Sequence, residues 1–209
     1  MSPISSRRLA VLLLVAPFAC TVSAADLLPV GVAKVDITPD GPIRLCGYAA
    51  RTTESDGIAN RLRACALAIG NDEEGPALLI AAELIGTPES LAGALAKRLE
   101  KAGIDRSRLR VLATHTHNGP CLAGFLNETH FSAYLPEDQM SRIEAYTEQL
   151  LDRLESVALA ALKDRRPGRL SWNQGKAGFA INRRRLKDGK WAGFGRVPDG
   201  PVDHALPVL

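Results

Sequence analysis

Two apolar runs separated by one amphipathic segment constrain the fold of this chain more than any other feature of its sequence. The runs are Ala77–Ile85 and Leu109–Thr116, and near-continuous apolar runs of this length are typical of buried parallel strands. Between them, Thr87 as a cap and Pro88 predict the start of a helix, and Gly103 predicts its end. Strand, helix and strand together form a βαβ unit, in which the two strands lie parallel.

Further strands and a second helix complete the predicted elements. Strands are expected at Val30–Ile37, Leu62–Ile69 and Leu170–Gln174, and a long helix at Glu137–Lys163 has apolar residues at helical spacing. The final run, Leu206–Leu209, resembles a strand that is cut short. The predicted fold class is therefore α/β: a mixed, layered sheet with flanking helices and at least one parallel βαβ unit, incomplete at the C-terminus.

The first 24 residues predict a secretory signal peptide. A basic start is followed by the apolar run Leu9–Cys20 and by small residues at Val22–Ala24, where cleavage is expected. The apolar run is short for a transmembrane helix, so an N-terminal anchor is the weaker alternative, as is a lipoprotein at Cys20. We expect a signal peptide over residues 1–24, a mature chain over 25–209, and a secreted or periplasmic location.

Composition indicates a globular protein without affinity for nucleic acid. Of the 209 residues, 46% are hydrophobic and 23% are charged, which excludes a disordered chain. Cleavage of the predicted signal peptide would remove two of the 26 basic residues and leave 24 against 23 acidic ones. Such a balanced charge gives no support to nucleic-acid binding.

Three cysteines remain in the predicted mature chain: Cys46, Cys65 and Cys121. They permit at most one internal disulfide bond and a free thiol. The sequence does not say which pair forms, if any, and three small buried hydrophobic residues are the more common interpretation.

The side chains with the clearest chemistry follow the second apolar run. His115 and His117 lie in the segment Thr114–Pro120, and residues two apart on a strand face the same side with Cα atoms about 6.6 Å apart. Both imidazoles could bind one zinc ion, or one could bind it while the other contacts a substrate or a bound water. Two surface or capping histidines are the alternative, because a zinc site needs at least three protein ligands. The remaining histidines, His130 and His204, have no partner at metal-ligand spacing.

A basic segment near the C-terminus is the second candidate. Between Lys163 and Lys190 there are ten Lys or Arg residues and two Asp. Most of them are expected in a solvated loop, although an arginine of the Asn182–Arg185 run could clamp a polar head group with two hydrogen bonds. Four aromatic residues lie nearby in the sequence: Trp172, Phe179, Trp191 and Phe194. They could form an apolar lip beside this segment, but aromatic residues are more usually part of the core.

Five segments form a pattern that extends in order through nearly all of the mature chain: Val30–Pro39, Leu45–Tyr48, Thr114–Pro120, Ile181–Arg183 and Pro198–His204. This pattern resembles that of the neutral/alkaline non-lysosomal ceramidases and their bacterial relatives. The resemblance implies a hydrolase that uses one zinc ion to cleave the N-acyl bond of ceramide, which yields a sphingoid base and a fatty acid. It also implies a lipid amide as substrate, or another amide or ester in a relative, and peripheral contact with a membrane.

The resemblance assigns roles to three residues. His115 would be a zinc ligand, His117 would lie beside the metal and bind substrate or stabilise the developing oxyanion, and Arg183 would line the substrate pocket. The family's other zinc ligands, a second His, a Glu and a Tyr, are expected beyond the last residue of this sequence. His204 does not match the later His element of the family, and Asp36 is expected to be a turn residue.

Because the sequence does not contain these other zinc ligands, we expect residues 25–209 to be the N-terminal part of a ceramidase-like hydrolase domain. Alone, this part is expected to be inactive or nearly so. Two alternatives stay open. One is another exported metallohydrolase that uses His115 and His117 as a metal pair, which would require further ligands within this chain. The other is a secreted binding or scaffold module with a degenerate metal site.

Overall fold

A computed structural model describes residues 27–48, 50–125 and 135–209 of the chain. The predicted signal peptide, residues 1–24, and His130 lie outside the described residues. The helices are α1, Glu89–Leu99, and α2, Glu137–Lys163. The strands within the described ranges are β1 Leu28–Asp36, β2 Arg63–Ile69, β3 Ala77–Ala82, β4 Leu109–Ala113, β5 Arg166–Gly168, β6 Asn173–Lys176, β7 Asn182–Lys187, β8 Lys190–Val197 and β9 Ala205–Val208.

Five strands form one mixed sheet in the order β4-β3-β2-β1-β5. Strands β3 and β4 are parallel, with Leu78 beside Leu109, and α1 connects them. The other neighbours are antiparallel, with Val32 of β1 beside Leu67 of β2, and β5 along the other edge of β1. The predicted βαβ unit and the mixed α/β fold class are therefore confirmed.

Helix α2 packs on β1 and β2, and α1 packs beside α2. Ala66 of β2, Ile80 of β3 and Leu150 of α2 are buried in the resulting core. At Gly31 of β1, an added Cβ atom would overlap the carbonyl oxygen of Ala161 in α2. The absence of a side chain at Gly31 therefore lets the helix lie directly on the strand.

The opposite face of the sheet is exposed along its centre. The side chains of Val32 and Cys65 are exposed, whereas Ala64, one position away on the helix-covered face, is fully buried. This alternation follows from the two-residue period of a strand. The interpretation of three buried cysteines is therefore wrong for Cys65, although Cys46 and Cys121 are buried.

Both strands of the βαβ unit end three residues earlier than predicted, β3 at Ala82 and β4 at Ala113. Beyond these ends the two backbones stay side by side. The N–H of Thr114 donates to the Ala82 carbonyl at 3.0 Å, and the N–H of Thr116 donates to the Leu84 carbonyl at 3.2 Å. The parallel pair thus continues into two irregular segments at one edge of the sheet.

The ends of the helices test the predicted caps. Pro88 occupies the N-cap position of α1 with extended backbone and no side-chain hydrogen bond, so the prediction of Thr87 as the cap is wrong. A single 3₁₀ turn, Glu100–Ala102, follows α1, and Gly103 ends it with a left-handed φ of 77°, as predicted. Helix α2 has the predicted bounds. Within the described part of the chain, neither helix is long and apolar enough to cross a membrane.

The C-terminal residues form two antiparallel ribbons, β6 with β9 and β7 with β8. The strand expected at Leu170–Gln174 lies at Asn173–Lys176, and the expected charged loop at Asn182–Arg185 is part of β7. Every residue of β6 and β9 is exposed. The prediction that four aromatic residues lie in the core is wrong, because they are 63–90% exposed: Trp172, Phe179, Trp191 and Phe194.

Candidate functional site

The candidate site lies where β3 and β4 end at the same edge of the sheet. The segment after β4, Thr114–Pro120, carries the histidine pair, and the segment after β3, Glu83–Ile85, lies beside it. The carboxyl ends of parallel strands are the usual place for chemistry in open α/β sheets. The topology therefore places His115 and His117 at the end of the sheet where ligands usually bind in this class of fold.

The imidazole rings of His115 and His117 are adjacent, with centroids 5.1 Å apart and planes at 74°. A continuous strand does not bring them together, because β4 has already ended at Ala113. His115 instead has a left-handed backbone with φ of 61°, which is uncommon for a residue with a side chain. The two rings are therefore adjacent, but a strained turn and not the alternation of a strand produces this arrangement, and such strain is concentrated at functional sites.

The ring of His115 is oriented by the segment that follows β3. Its Nδ1 lies 2.7 Å from the carbonyl oxygen of Ile85. A ring nitrogen this close to a carbonyl carries the hydrogen and donates it, which leaves Nε2 of the neutral ring with a free lone pair. Metal-ligating histidines are typically oriented by such a contact on the other ring nitrogen.

The ring of His117 is more enclosed than that of His115. Its Nδ1 is buried and has no hydrogen-bond partner among the described residues. Gly47 lies against this ring with φ of 112°, and an added Cβ atom would come within 2.6 Å of the His117 Cγ atom. Tyr48 packs edge-on against the same ring with centroids 5.0 Å apart. The ring therefore occupies a fixed position with an unpartnered nitrogen, which is costly unless a ligand pairs it.

Arg51 holds the backbone of the histidine segment in place. Its Nη1 donates to the His117 carbonyl at 2.9 Å, and its Nη2 donates to Oδ1 of Asn118 at 3.2 Å. The guanidinium also lies 5.1 Å from the centroid of the Tyr48 ring. Neither Arg51 nor Tyr48 was a candidate from the sequence alone. Tyr48 belongs to the segment Leu45–Tyr48 that carried the resemblance, whereas nothing local in the sequence marks Arg51.

A cavity of about 520 Å³ lies beside the histidine segment. Thr114, Thr116 and Asn118 line it from that segment, and Glu83 and Arg61 add charged groups. His115 and His117 are not among its lining residues. The cavity and the imidazole pair are therefore adjacent but separate features of the described structure.

The other sequence candidates lie elsewhere. Arg183 is exposed on β7 and makes no hydrogen bond or ion pair with the described residues. His204 precedes β9, and its Nδ1 lies 3.0 Å from the Ala177 carbonyl oxygen. Asp36 is the last residue of β1, not a turn residue as expected. It accepts a hydrogen bond from the Thr38 N–H at 2.8 Å, and hydrogen bonds from the side chain and backbone of Thr38 lower its pKa. The structure thus groups His115 with His117 and leaves the other candidates apart from them.

Residues 28–186 match the family model described as neutral/alkaline non-lysosomal ceramidase, N-terminal. The matched range covers well over half of the chain and contains His115, His117 and Arg183. The chain belongs to the neutral/alkaline non-lysosomal ceramidase family. The resemblance of its motifs is therefore confirmed at the level of the family.

Two solved ceramidases share the fold of this family member. The neutral ceramidase from Pseudomonas aeruginosa is 22% identical to it with a TM-score of 0.58, and the match covers 76% of this chain and 25% of the other. A ceramidase complexed with C2 is 21% identical with a TM-score of 0.60, and the match covers 76% and 24% of the two chains. The chain therefore spans about a quarter of the length of these structures. No curated protein matches the chain.

The imidazole pair of this ceramidase-family chain fits part of a zinc site. The Nδ1 of His115 is held by the Ile85 carbonyl, so Nε2 is the ring nitrogen left for a metal ion. His117 adds a buried nitrogen without a partner. Among residues 27–48, 50–125 and 135–209, however, no three His, Cys, Asp or Glu side chains are grouped closely enough to hold a metal ion. Because zinc takes at least three protein ligands, the described residues provide only part of such a site.

Proposed function

We propose that this chain forms the N-terminal part of the catalytic domain of a zinc-dependent amide hydrolase that cleaves N-acylsphingosine to a sphingoid base and a fatty acid. Membership in the ceramidase family supports the reaction class. The observation that carries the proposal is the pair of adjacent imidazoles, 5.1 Å apart at the end of the parallel strands. The C2-bound ceramidase, which shares the fold, is consistent with a lipid amide as substrate.

His115 is the zinc ligand in this proposal, through its Nε2 atom. The Ile85 carbonyl, 2.7 Å from Nδ1, fixes both the tautomer and the direction of the ring. When bound, zinc would polarise the acyl carbonyl and lower the pKa of a water molecule. The left-handed backbone at His115 turns the ring toward His117 and is part of this arrangement.

His117 acts on the substrate rather than on the metal. Amide hydrolysis places negative charge on the former carbonyl oxygen, and a fixed N–H donor at that position stabilises it. Gly47 and Tyr48 hold the ring, and Arg51 holds the backbone carbonyl, so a donor hydrogen on the ring is already oriented before substrate binds.

Arg183 contacts the polar part of the lipid in this proposal. Its guanidinium is exposed and has no partner among the described residues, so it is free to form two parallel hydrogen bonds with an oxygen-rich head group. A lipid amide lies in a membrane or micelle, so the enzyme would act at a membrane surface. The predicted signal peptide supports a secreted or periplasmic location.

The 209-residue chain by itself is proposed to be inactive. Its described residues supply two imidazoles and no third ligand near them, and it spans about a quarter of the solved ceramidases. Two histidines alone do not hold catalytic zinc tightly. The purified chain should therefore retain no zinc after dialysis and should release no fatty acid from N-acylsphingosine. One retained zinc per chain together with zinc-dependent release would instead indicate a self-contained metallohydrolase.

Substrate binding tests the proposed reaction class without requiring turnover. We expect the chain to bind N-acylsphingosine in mixed micelles, and Arg183→Ala to weaken that binding by about tenfold through loss of a charge-assisted contact. Arg184→Ala, one position along the same strand, is the matched control and should bind like the parent chain. Binding that neither variant changes would favour a non-catalytic binding module, and no binding at all would contradict the proposal.

A further inference from the structure

A short backbone pairing brings two buried cysteines together next to the histidine segment. Leu45 and Pro120 form an isolated antiparallel bridge. The N–H of Cys46 donates to the Gly119 carbonyl at 3.0 Å, and the N–H of Cys121 donates to the Arg44 carbonyl at 2.8 Å. The two hydrogen bonds lie on either side of the bridge, so Pro120, which has no N–H, occupies a position that needs no donor. Cys46 and Cys121 each follow a bridge residue, so their side chains lie on the face opposite to those of Leu45 and Pro120.

The two thiols contact each other in the protein interior. Cys46 is 0% exposed and Cys121 is 1% exposed. The Cys121 thiol donates a hydrogen bond to the Cys46 sulfur, which lowers the pKa of Cys46 to about 7 and raises the pKa of Cys121. Cys46 is therefore the better nucleophile of the two.

Cys65 is excluded as a partner by its position. It lies on β2, where it pairs with Lys34 of β1 and Ala81 of β3, and its side chain is exposed on the open face of the sheet. Both neighbouring positions in the ladder therefore carry residues that are not cysteine. Of the three cysteines that the structure describes, only Cys46 and Cys121 lie in contact.

We propose that Cys46 and Cys121 form an intrachain disulfide bond, because the bridge at Leu45 and Pro120 places both of their side chains on one buried face. The bond requires the two sulfur atoms to reach a separation of about 2.05 Å. The reaction requires an oxidant of the disulfide class. Cys46 attacks the oxidant and releases one thiol, then Cys121 attacks Cys46 and releases the second, so two protein thiols are oxidised while one external disulfide is reduced to two thiols.

The bond would connect the two segments that surround His117. Cys46 immediately precedes Gly47, which packs against the His117 ring, and Cys121 immediately follows Pro120 at the end of the histidine segment. It would also close β2, β3, α1 and β4 into one loop. A cross-link of this kind restricts the unfolded chain and holds the His117 ring against its neighbours. It does not depend on the proposed catalytic activity.

The test is oxidation of the full chain with oxidised glutathione, once in the folded state and once during refolding from denaturant. Samples are quenched in acid, alkylated with N-ethylmaleimide in denaturant, digested and analysed by mass spectrometry. We expect a peptide pair that joins Cys46 to Cys121, with a mass lower by two hydrogen atoms than the two free peptides together. The exposed Cys65 should instead carry glutathione, which confirms that the oxidant has reacted.

Two serine variants make the result specific. Cys65→Ser should leave the Cys46–Cys121 peptide pair unchanged and should show a higher melting temperature after oxidation than before it. Cys46→Ser should abolish the peptide pair, leave Cys121 alkylated, and show no rise in melting temperature on oxidation. Alkylation of both Cys46 and Cys121 in the folded and refolded samples, with Cys65 modified by glutathione, would overturn the proposal. So would a cross-link that includes Cys65.

Discussion

The five-stranded sheet and the two C-terminal ribbons bury very different amounts of apolar surface, although both consist of paired strands. In the sheet, α2 covers one face, and Ala64, Ala66 and Ile80 are almost fully buried beneath it. In the ribbon of β7 and β8, Leu186 is 65% exposed and Phe194 is 72% exposed. Only the sheet has the covered face that a sheet normally requires for independent stability.

This difference separates the two parts of the candidate site. His115 and His117 follow β4 and are held by contacts within the sheet region, such as that between His115 and the Ile85 carbonyl. Arg183 lies on a ribbon whose side chains are largely exposed. The imidazole pair is therefore positioned by the core, whereas the position of Arg183 depends on a two-stranded ribbon alone.

The same substitution made in each region gives the largest expected contrast. Leu150→Ala removes a fully buried side chain from α2 and should cost about 2–5 kcal/mol of unfolding free energy, including the cavity it leaves. Leu186→Ala on β7 should change it by less than about 0.5 kcal/mol, because that side chain is mostly exposed. Urea unfolding followed by circular dichroism measures both values. Equal losses would show that the ribbon shares the core.

A glycine in each region tests the close packing of helix on sheet. Gly31→Ala should destabilise the chain by about 1–3 kcal/mol, because its Cβ atom would lie 2.6 Å from the backbone nitrogen of Arg165, just after α2. Gly178→Ala has no atom within 4 Å of the added carbon, so it should be neutral or slightly stabilising. Urea unfolding again provides the measurement, and a neutral Gly31→Ala would refute the close approach of α2 to β1.

A single buried hydroxyl links α2 to the turn after β1. The Tyr146 hydroxyl donates to the Ile37 carbonyl at 2.7 Å, and burial raises its pKa, so it stays a neutral donor. Tyr146→Phe should cost about 1 kcal/mol. Tyr48→Phe, where the ring is 54% exposed, serves as the control and should cost less, as measured by thermal unfolding. An unchanged stability of Tyr146→Phe would mean that water replaces this bond.

The smallest effect is expected from the pH dependence of one exposed contact. The Val32 N–H donates to the Asp164 carboxylate at 3.2 Å, and this bond, aided by Arg166, lowers the pKa of Asp164 below 3.8. A carboxyl group with a depressed pKa in the folded state stabilises the fold above its unfolded pKa and loses that contribution as pH falls through the folded pKa. Asp164→Asn should therefore lose less stability than the parent chain between pH 5 and pH 2, as measured by urea unfolding. Identical profiles would contradict this role of the contact.

Elements with their own hydrophobic period were predictable from the sequence. Helix α2 has the predicted bounds because its apolar stripe is continuous and a proline follows it at Pro167. The parallel pairing of β3 and β4 was predictable because two apolar runs flank one helix. The ribbon of β7 and β8 was not, because neither strand has a fully buried residue that would require an apolar pattern in the sequence.

The site was predictable in its residues but not in its geometry. The spacing of His115 and His117 indicated a pair, yet the left-handed backbone at His115 has no local sequence signal. Arg51 contacts the His117 carbonyl across 66 residues of sequence, a distance that no local pattern can reveal. The contact between Cys46 and Cys121 depends on the same long-range pairing of loops.

The central claim is that the His115 imidazole is positioned to bind a metal ion. Reversible zinc binding tests this claim most directly. Zinc is titrated calorimetrically into the full chain, into His115→Ala, and into His204→Ala as the matched control, whose ring contacts the Ala177 carbonyl instead. We predict weak one-site binding by the parent chain, at least about a tenfold loss of affinity in His115→Ala, which corresponds to about 1.4 kcal/mol, and no change in His204→Ala. Equal zinc affinity of His115→Ala and the parent chain would contradict the account.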